Sequence, residues 1–338
     1  MFRLLDLPQE LIDVIISFAL VAERPVPTSI PLEASEAGRS SHFGSGGVYS
    51  AWDYGVANIM WDQKSQTTPN AVPLLLVNRM FASATRRAVE LLVASNRLVY
   101  KLDVVLVDER ELWPTWTSVP VICPVVDRLA VTIRIFGADS DLRGNETEPT
   151  PRQRKFWALS PGHNSPPKLV WCFFYLFQHI LCNGPSTRAK QISPLVIRHA
   201  IVNIMPFPGS PDQLDGASDD EWMSARERRQ GNVSNPPQPI SEQDNLLRAV
   251  SMRPAFLKIF MARQLSGFFH MTFFAPPTLR ILHLQLGQIT LASSDDERAY
   301  IDPGLILAEL DVPRYGPPGI FAQWKANVLQ VRAEHGFD

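Results

Sequence analysis

Four acidic side chains, Asp103, Asp108, Glu109 and Glu111, gather at the end of an apolar run. Paired carboxylates can divide general-acid from general-base work when their surroundings separate their proton affinities. Solvated acids also collect where strands end, and no histidine stands nearby in sequence, so no catalytic residue is assigned. Cys172, His179 and Cys182 recur at i, i+7 and i+10, near one face of a helix. Zinc wants a fourth ligand and closer cysteine pairs. The set therefore reads as a buried aromatic helix whose cysteines pack as small apolar groups, and no metal or cofactor is assigned. Gly44-Ser45-Gly46-Gly47 lacks the Gly-Lys-Ser/Thr ending and the preceding strand of a phosphate loop. His199 and His283 fall within strand-like patterns and read as hydrogen-bonded core residues. Trp113 and Trp116 bracket Pro114, and two readings stay open: an aromatic contact surface on a loop, or a cover for a sheet edge.

Composition narrows the classes. The chain has 338 residues, enough for one large domain or two modest ones. A net charge of −2 leaves no basic footprint for nucleic acid or an anionic membrane. The most apolar stretch, Leu169 to Phe177, is shorter than the roughly 20 residues a bilayer requires, so no membrane partner is expected. Three cysteines, Cys123, Cys172 and Cys182, are too few for a disulfide framework and suit a reducing compartment, cytoplasmic or nuclear. The 29 prolines cluster between apolar segments and mark loops.

The elements that must carry any site follow from periodicity. Leu98 to Leu106 alternates, with every even position apolar, as a strand with one buried face does. Leu129, Val131, Ile133 and Ile135 repeat the pattern with Thr132 and Arg134 opposite. Residues 195–205 read as a third strand and 279–286 as a fourth. Prolines between the first two strands suggest a wide antiparallel hairpin. Helices are expected at 170–182, at 245–266 with a break at Pro254, and at about 318–334. The last presents Phe321, Trp324, Val328 and Val331 to the body. This order predicts a mixed α/β body over residues 96–290, with polar loops at 138–167 and 206–242, followed by a C-terminal extension over 291–338. Leu279-x-x-Leu282-x-Leu284, Val99-x-x-Leu102-x-Val104 and Val126-x-x-Leu129-x-Val131 have leucine-rich-repeat spacing. Nothing comparable falls near residue 156, so the body is expected to be irregular, at most a degenerate leucine-rich-repeat-like sheet.

The N-terminal segment differs from all of this. After Leu7-Pro8-Gln9-Glu10, the run Leu11, Ile12, Val14, Ile15, Ile16, Phe18, Ala19, Leu20 is interrupted only by Asp13 and Ser17. Asp6 with Gln9 resembles a capping box, and Pro8 is expected in the first helical turn. A helix this apolar must be covered on more than one side, by its own chain or by a partner. A second helical stretch, 72–94, is expected to break near Ser83. Residues 33–50 read as a Ser/Gly-rich loop, and Trp52, Tyr54, Met60 and Trp61 as aromatics folding back onto the body.

The leucine–proline–x–glutamate–leucine start resembles the F-box, a small helical module. Its second half corresponds to Val72-Pro73-Leu74-Leu75-Leu76-Val77-Asn78-Arg79-Met80-Phe81. The two-part layout is most similar to the F-box-like proteins of filamentous fungi. Residues 22–71 intervene where an ordinary F-box has a short turn. The resemblance implies an F-box-like head over residues 1–95 that docks on the Skp adaptor of a cullin–RING ubiquitin ligase. Leu7, Pro8, Leu11, Ile12 and Ile15 belong to the implied docking surface. It also implies an unknown protein target and a function by recruitment, without enzymatic chemistry. Two alternatives stand beside it: a structural or binding protein that keeps the head only as part of its own fold, and an α/β enzyme using the acidic strand end.

Overall fold

The structure is a computed structural model that describes residues 7–26, 39–40, 58–62, 67–107, 109, 111–136, 168–185, 194–206, 252–270, 276–293, 297–310 and 318–337. The expected loops at 138–167 and 206–242 lie almost wholly outside the described residues, as do Trp52, Tyr54, Asp108 and residues 245–251.

Three helices form the N-terminal part: α1 (Gln9–Leu20), α2 (Ala71–Val77) and α3 (Arg79–Ala94). Pro8 stands one position before α1, in an extended conformation, rather than in its first turn. Gln9 donates to the Asp13 carboxylate; Asp6 lies outside the described residues, and among those described no side chain caps the α1 N-terminus. The break in the second stretch falls at Asn78, not Ser83. Asn78 is extended, and its Oδ1 accepts from the Phe81 N–H at 2.9 Å, an N-cap that starts α3. Ile12, Ile16 and Leu20 at i, i+4 and i+8 of α1 meet Phe81, Ala84 and Ala88 of α3 in a small core.

Between these helices lie two short strands, β1 (Arg39–Ser40) and β2 (Trp61–Asp62), paired antiparallel. The body contains β3 (Val99–Val107), β4 (Glu111–Ser118), β5 (Val125–Phe136), α4 (Lys168–Asn183), β6 (Val196–Pro206), α5 (Pro254–His270), α6 (Pro276–Gln285), β7 (Leu286–Ala292), β8 (Ala299–Ile301), α7 (Pro303–Glu309) and α8 (Pro318–Glu334). Six strands form one sheet in the order β4-β3-β5-β6-β7-β8. The inner four are parallel, and β4 and β8 close the two edges antiparallel. The fold is therefore mixed α/β.

Three expectations change here. The first two predicted strands pair in parallel, not as a hairpin. Alternation normally accompanies antiparallel sheets with one wet face, whereas parallel strands are usually apolar throughout. Here the parallel strands themselves carry a polar face, with Asp103, Thr132 and Asn203 in one cross-strand row. The proline-bearing segment between them is a strand in its own right, β4, at an edge where a missing donor is tolerated. Residues 279–285 are helical, and the strand begins at Leu286. A short apolar run fits both states, and Pro276 opens the helix.

The core sits between the sheet and its crossover helices. Tyr100, Leu102, Val104 and Leu106 of β3 share it with Phe173, Phe174 and Phe177 of α4 and Leu257, Met261 and Phe268 of α5. Trp171 lies edge-on to Phe174 at 5.6 Å and to Phe268 at 5.1 Å, tying α4 to α5. Val126-x-x-Leu129-x-Val131, Ile197-x-x-Ala200-x-Val202 and Leu286-x-x-Ile289-x-Leu291 lie in register across three neighbouring strands. The connections between them are unequal, so the shared spacing reflects a common buried face rather than a sequence period.

A candidate docking face on the N-terminal helices

Leu11, Val14, Ile15 and Phe18 stand at i, i+3, i+4 and i+7 of α1 and are all exposed, Phe18 at 72%. That spacing makes one continuous helical stripe. It lies on the side away from Ile12, Ile16 and Leu20, which are buried against α3. Alpha-two adds exposed Val72, Leu76 and Val77, with Leu76 at 80%. Scattered apolar residues on a surface are ordinary, but a full stripe backed by a closed core is a candidate interaction site. Of the residues expected to dock, Leu11 and Ile15 are in the stripe and Pro8 is exposed beside it. Leu7 is half-buried against the head core. Ile12 is at 2% exposure and faces inward, so it holds the helix rather than meeting a visitor. Val14 and Phe18 complete the stripe, and their signal was the i+3 and i+7 spacing from Leu11.

Asp108 lies outside the described residues, and Asp103 stands four residues before the end of β3, apart from Glu111. Asp103 is buried and engaged by Arg134 in a bidentate pair, Nε to Oδ1 at 2.7 Å and Nη2 to Oδ2 at 2.6 Å. Glu111 accepts from the Trp113 indole at 2.9 Å. Glu109 is buried at a turn with φ 58°, where a solvated acid was expected. Asp103 faces Thr132 across the β3–β5 ladder, so Arg134 is its diagonal neighbour on the same face. Alternation already put Arg134 opposite the apolar side chains, which is the sequence signal for this pair.

The helix carrying Cys172, His179 and Cys182 is a packing element. Cys172 is fully buried. The His179 ring lies 4.7 Å from that of Trp61, and its Nδ1 is 3.2 Å from the Asn183 amide. Burial pushes the Cys182 thiol up. Among the described residues no three His, Cys, Asp or Glu side chains gather at metal-binding range. Trp113 and Trp116 are both buried, so the aromatic contact surface gives way to the sheet-edge reading. Trp116 meets Tyr100 edge-on at 6.2 Å. His199 is half-buried with Nε2 at 2.7 Å from Thr290 Oγ1, and burial, helped by Arg128, pushes its pKa below the usual range.

Trp61 also shows how the intervening segment meets the body. Ile59 bridges to Leu112, the Met60 N–H donates to the Leu112 carbonyl, and Trp61 is buried in the main core. Among the described residues no helix is long and apolar enough to cross a membrane. Compared with known proteins, the chain matches no family model, no curated protein and no solved structure.

Proposed function

We propose that this chain is a substrate-recruiting subunit of a cullin–RING ubiquitin ligase, acting in the cytoplasm or nucleus. Its F-box-like head docks on the Skp adaptor while the α/β body holds an unidentified protein target. The mechanism is proximity, with no bond made or broken by this chain. One observation carries the reading: Leu11, Val14, Ile15 and Phe18 lie exposed in the segment whose Leu7-Pro8-Gln9-Glu10-Leu11 start resembles the F-box. Arg134 engages Asp103, one of the four acids on which the enzyme alternative draws.

The test is binding of the purified chain to the Skp adaptor. Wild type binds, and a Leu11→Ser/Phe18→Ser double variant loses affinity by about a thousandfold. Two central anchors at ~2 kcal/mol each account for that loss. Circular dichroism of the variant should match wild type, because neither side chain is in the head core. Failure of the wild-type chain to bind leaves the head as part of this protein's own fold and removes the ligase reading.

A further inference from the structure

The two halves of the head are separated in sequence, yet the chain leaves and returns at one place on the body. The Arg24 N–H donates to the Thr117 carbonyl at 2.8 Å, Asn70 to Val119 at 2.8 Å and Ala71 to Pro120 at 2.9 Å. All three acceptors lie in the run that ends β4. The Arg24 guanidinium donates to the Thr68 carbonyl and closes the neck of the segment. The Asn70 side chain reaches the third party. Its Nδ2 donates to the Leu20 carbonyl at 2.8 Å and the Ala22 carbonyl at 2.9 Å, with Ser118 Oγ at 3.5 Å. Carbonyls at a helix C-terminus have no partner within the helix, so they need an outside donor. A primary amide carries two N–H groups, and these two acceptors use both. One residue therefore joins the end of α1, the start of α2 and the end of β4.

We infer that Asn70 is a positioning residue: it locks the head to the sheet edge and sets the direction in which the α1 stripe faces relative to the body. A docked partner and anything held by the body then keep a fixed mutual orientation. That consequence rests on the adaptor reading, while the joint itself does not. Asparagine is specific here because an aspartate would set a carboxylate against two carbonyl oxygens.

Amide hydrogen exchange on the full chain tests the joint. Asn70→Asp and the milder Asn70→Ala should each speed exchange at residues 24, 70 and 71 by about tenfold or more, the effect of losing bonds at this seam. Amides within α3 and β5 should keep their wild-type rates. Spin labels at exposed Leu76 and Tyr300 should give one narrow distance distribution in wild type and a broad one in either variant. Wild-type exchange at the seam in the folded variants, or an even loss of protection through α3 and β5, overturns the proposal. Asn70→Ala carries the test if Asn70→Asp does not fold. Adaptor binding measured in parallel keeps the two ideas apart, since a wild-type chain that binds no adaptor leaves the exchange result standing.

Discussion

His283 lies near the C-terminus of α6 at 1% exposure, with Phe269 at 5.3 Å and Trp324 at 5.7 Å, both edge-on. Burial drives its pKa down, the nearby Arg332 charge adds to this, and a hydrogen bond to the Pro303 backbone partly offsets them; the result is about 4 against an ordinary 6.5. The ring is therefore neutral in the fold and takes up a proton more easily when unfolded. Its contribution to stability is complete above about pH 6.5 and is lost as pH falls from there towards about 4. The drop amounts to about 3 kcal/mol. His199 is shifted in the same direction, but it is partly exposed, so solvent screens its share. Urea titrations at several pH values between 4 and 7 should show the midpoint falling with acid. His283→Leu should flatten that part of the profile, whatever it does to stability at neutral pH. An unchanged slope in the variant would rule out this histidine as the source.

At the scale of one helix, α1 separates two jobs by angle. Ile16 is fully buried in the head core, so Ile16→Ala should cost about 2–5 kcal/mol in urea unfolding. Phe18, two residues on, points outward, and Phe18→Ser should change stability by no more than about 0.5 kcal/mol. Equal losses for both would mean that the stripe is structural. Spacing groups the stripe in the sequence but does not say which face is exposed, because a helix apolar all round is equally suited to complete burial. The strands were more legible: the alternation in β3 and β5 marks the face that each turns to the main core, although Val105 and Val107 on the other face of β3 are buried too. Strand β7 was misplaced because Leu279-x-x-Leu282-x-Leu284 copies the spacing found seven residues later, and local pattern does not separate a short helix from a strand. Parallel pairing was hidden for a different reason. It depends on which distant segments meet, and the polar face of this sheet imitates an antiparallel one. The Asp103–Arg134 pair was half visible, since both side chains could be placed opposite the core but not beside each other.

Across the whole molecule, a polar side chain helps to fasten each end of the chain to the sheet. Asn70 does this for the head, and Arg332 does it for the C-terminal helix. Arg332 is buried, and its guanidinium donates to the carbonyls of His283 at 2.7 Å, Leu286 at 2.8 Å and Gly287 at 3.3 Å. It also approaches Asp302 Oδ1 at 3.4 Å, the same oxygen that caps α7 by accepting from Gly304 and Leu305. One cation thus closes the C-terminus of α6, the first residues of β7 and the start of α7 from its place on α8. The room for it is set by Gly304, where an added Cβ would lie 2.6 Å from Arg332 Nε. Arg332→Met keeps much of the volume but leaves buried carbonyls without donors, at about 1–3 kcal/mol for each that water cannot reach. The expected loss is therefore about 3 kcal/mol or more. Arg332→Lys should not restore it, because a single ammonium cannot reproduce the spread of the guanidinium fork. Gly304→Ala should move stability in the same direction by displacing the same group. Because β7 is hydrogen-bonded to β6 and β6 to β5, the damage should appear as faster amide exchange in α8 and β7 and as a lower urea midpoint for the body. An Arg332→Met protein with a wild-type midpoint would show that Val328, Phe321 and the bonds of Lys325 to the Ala308 and Leu310 carbonyls suffice to hold α8, with the buried charge adding nothing.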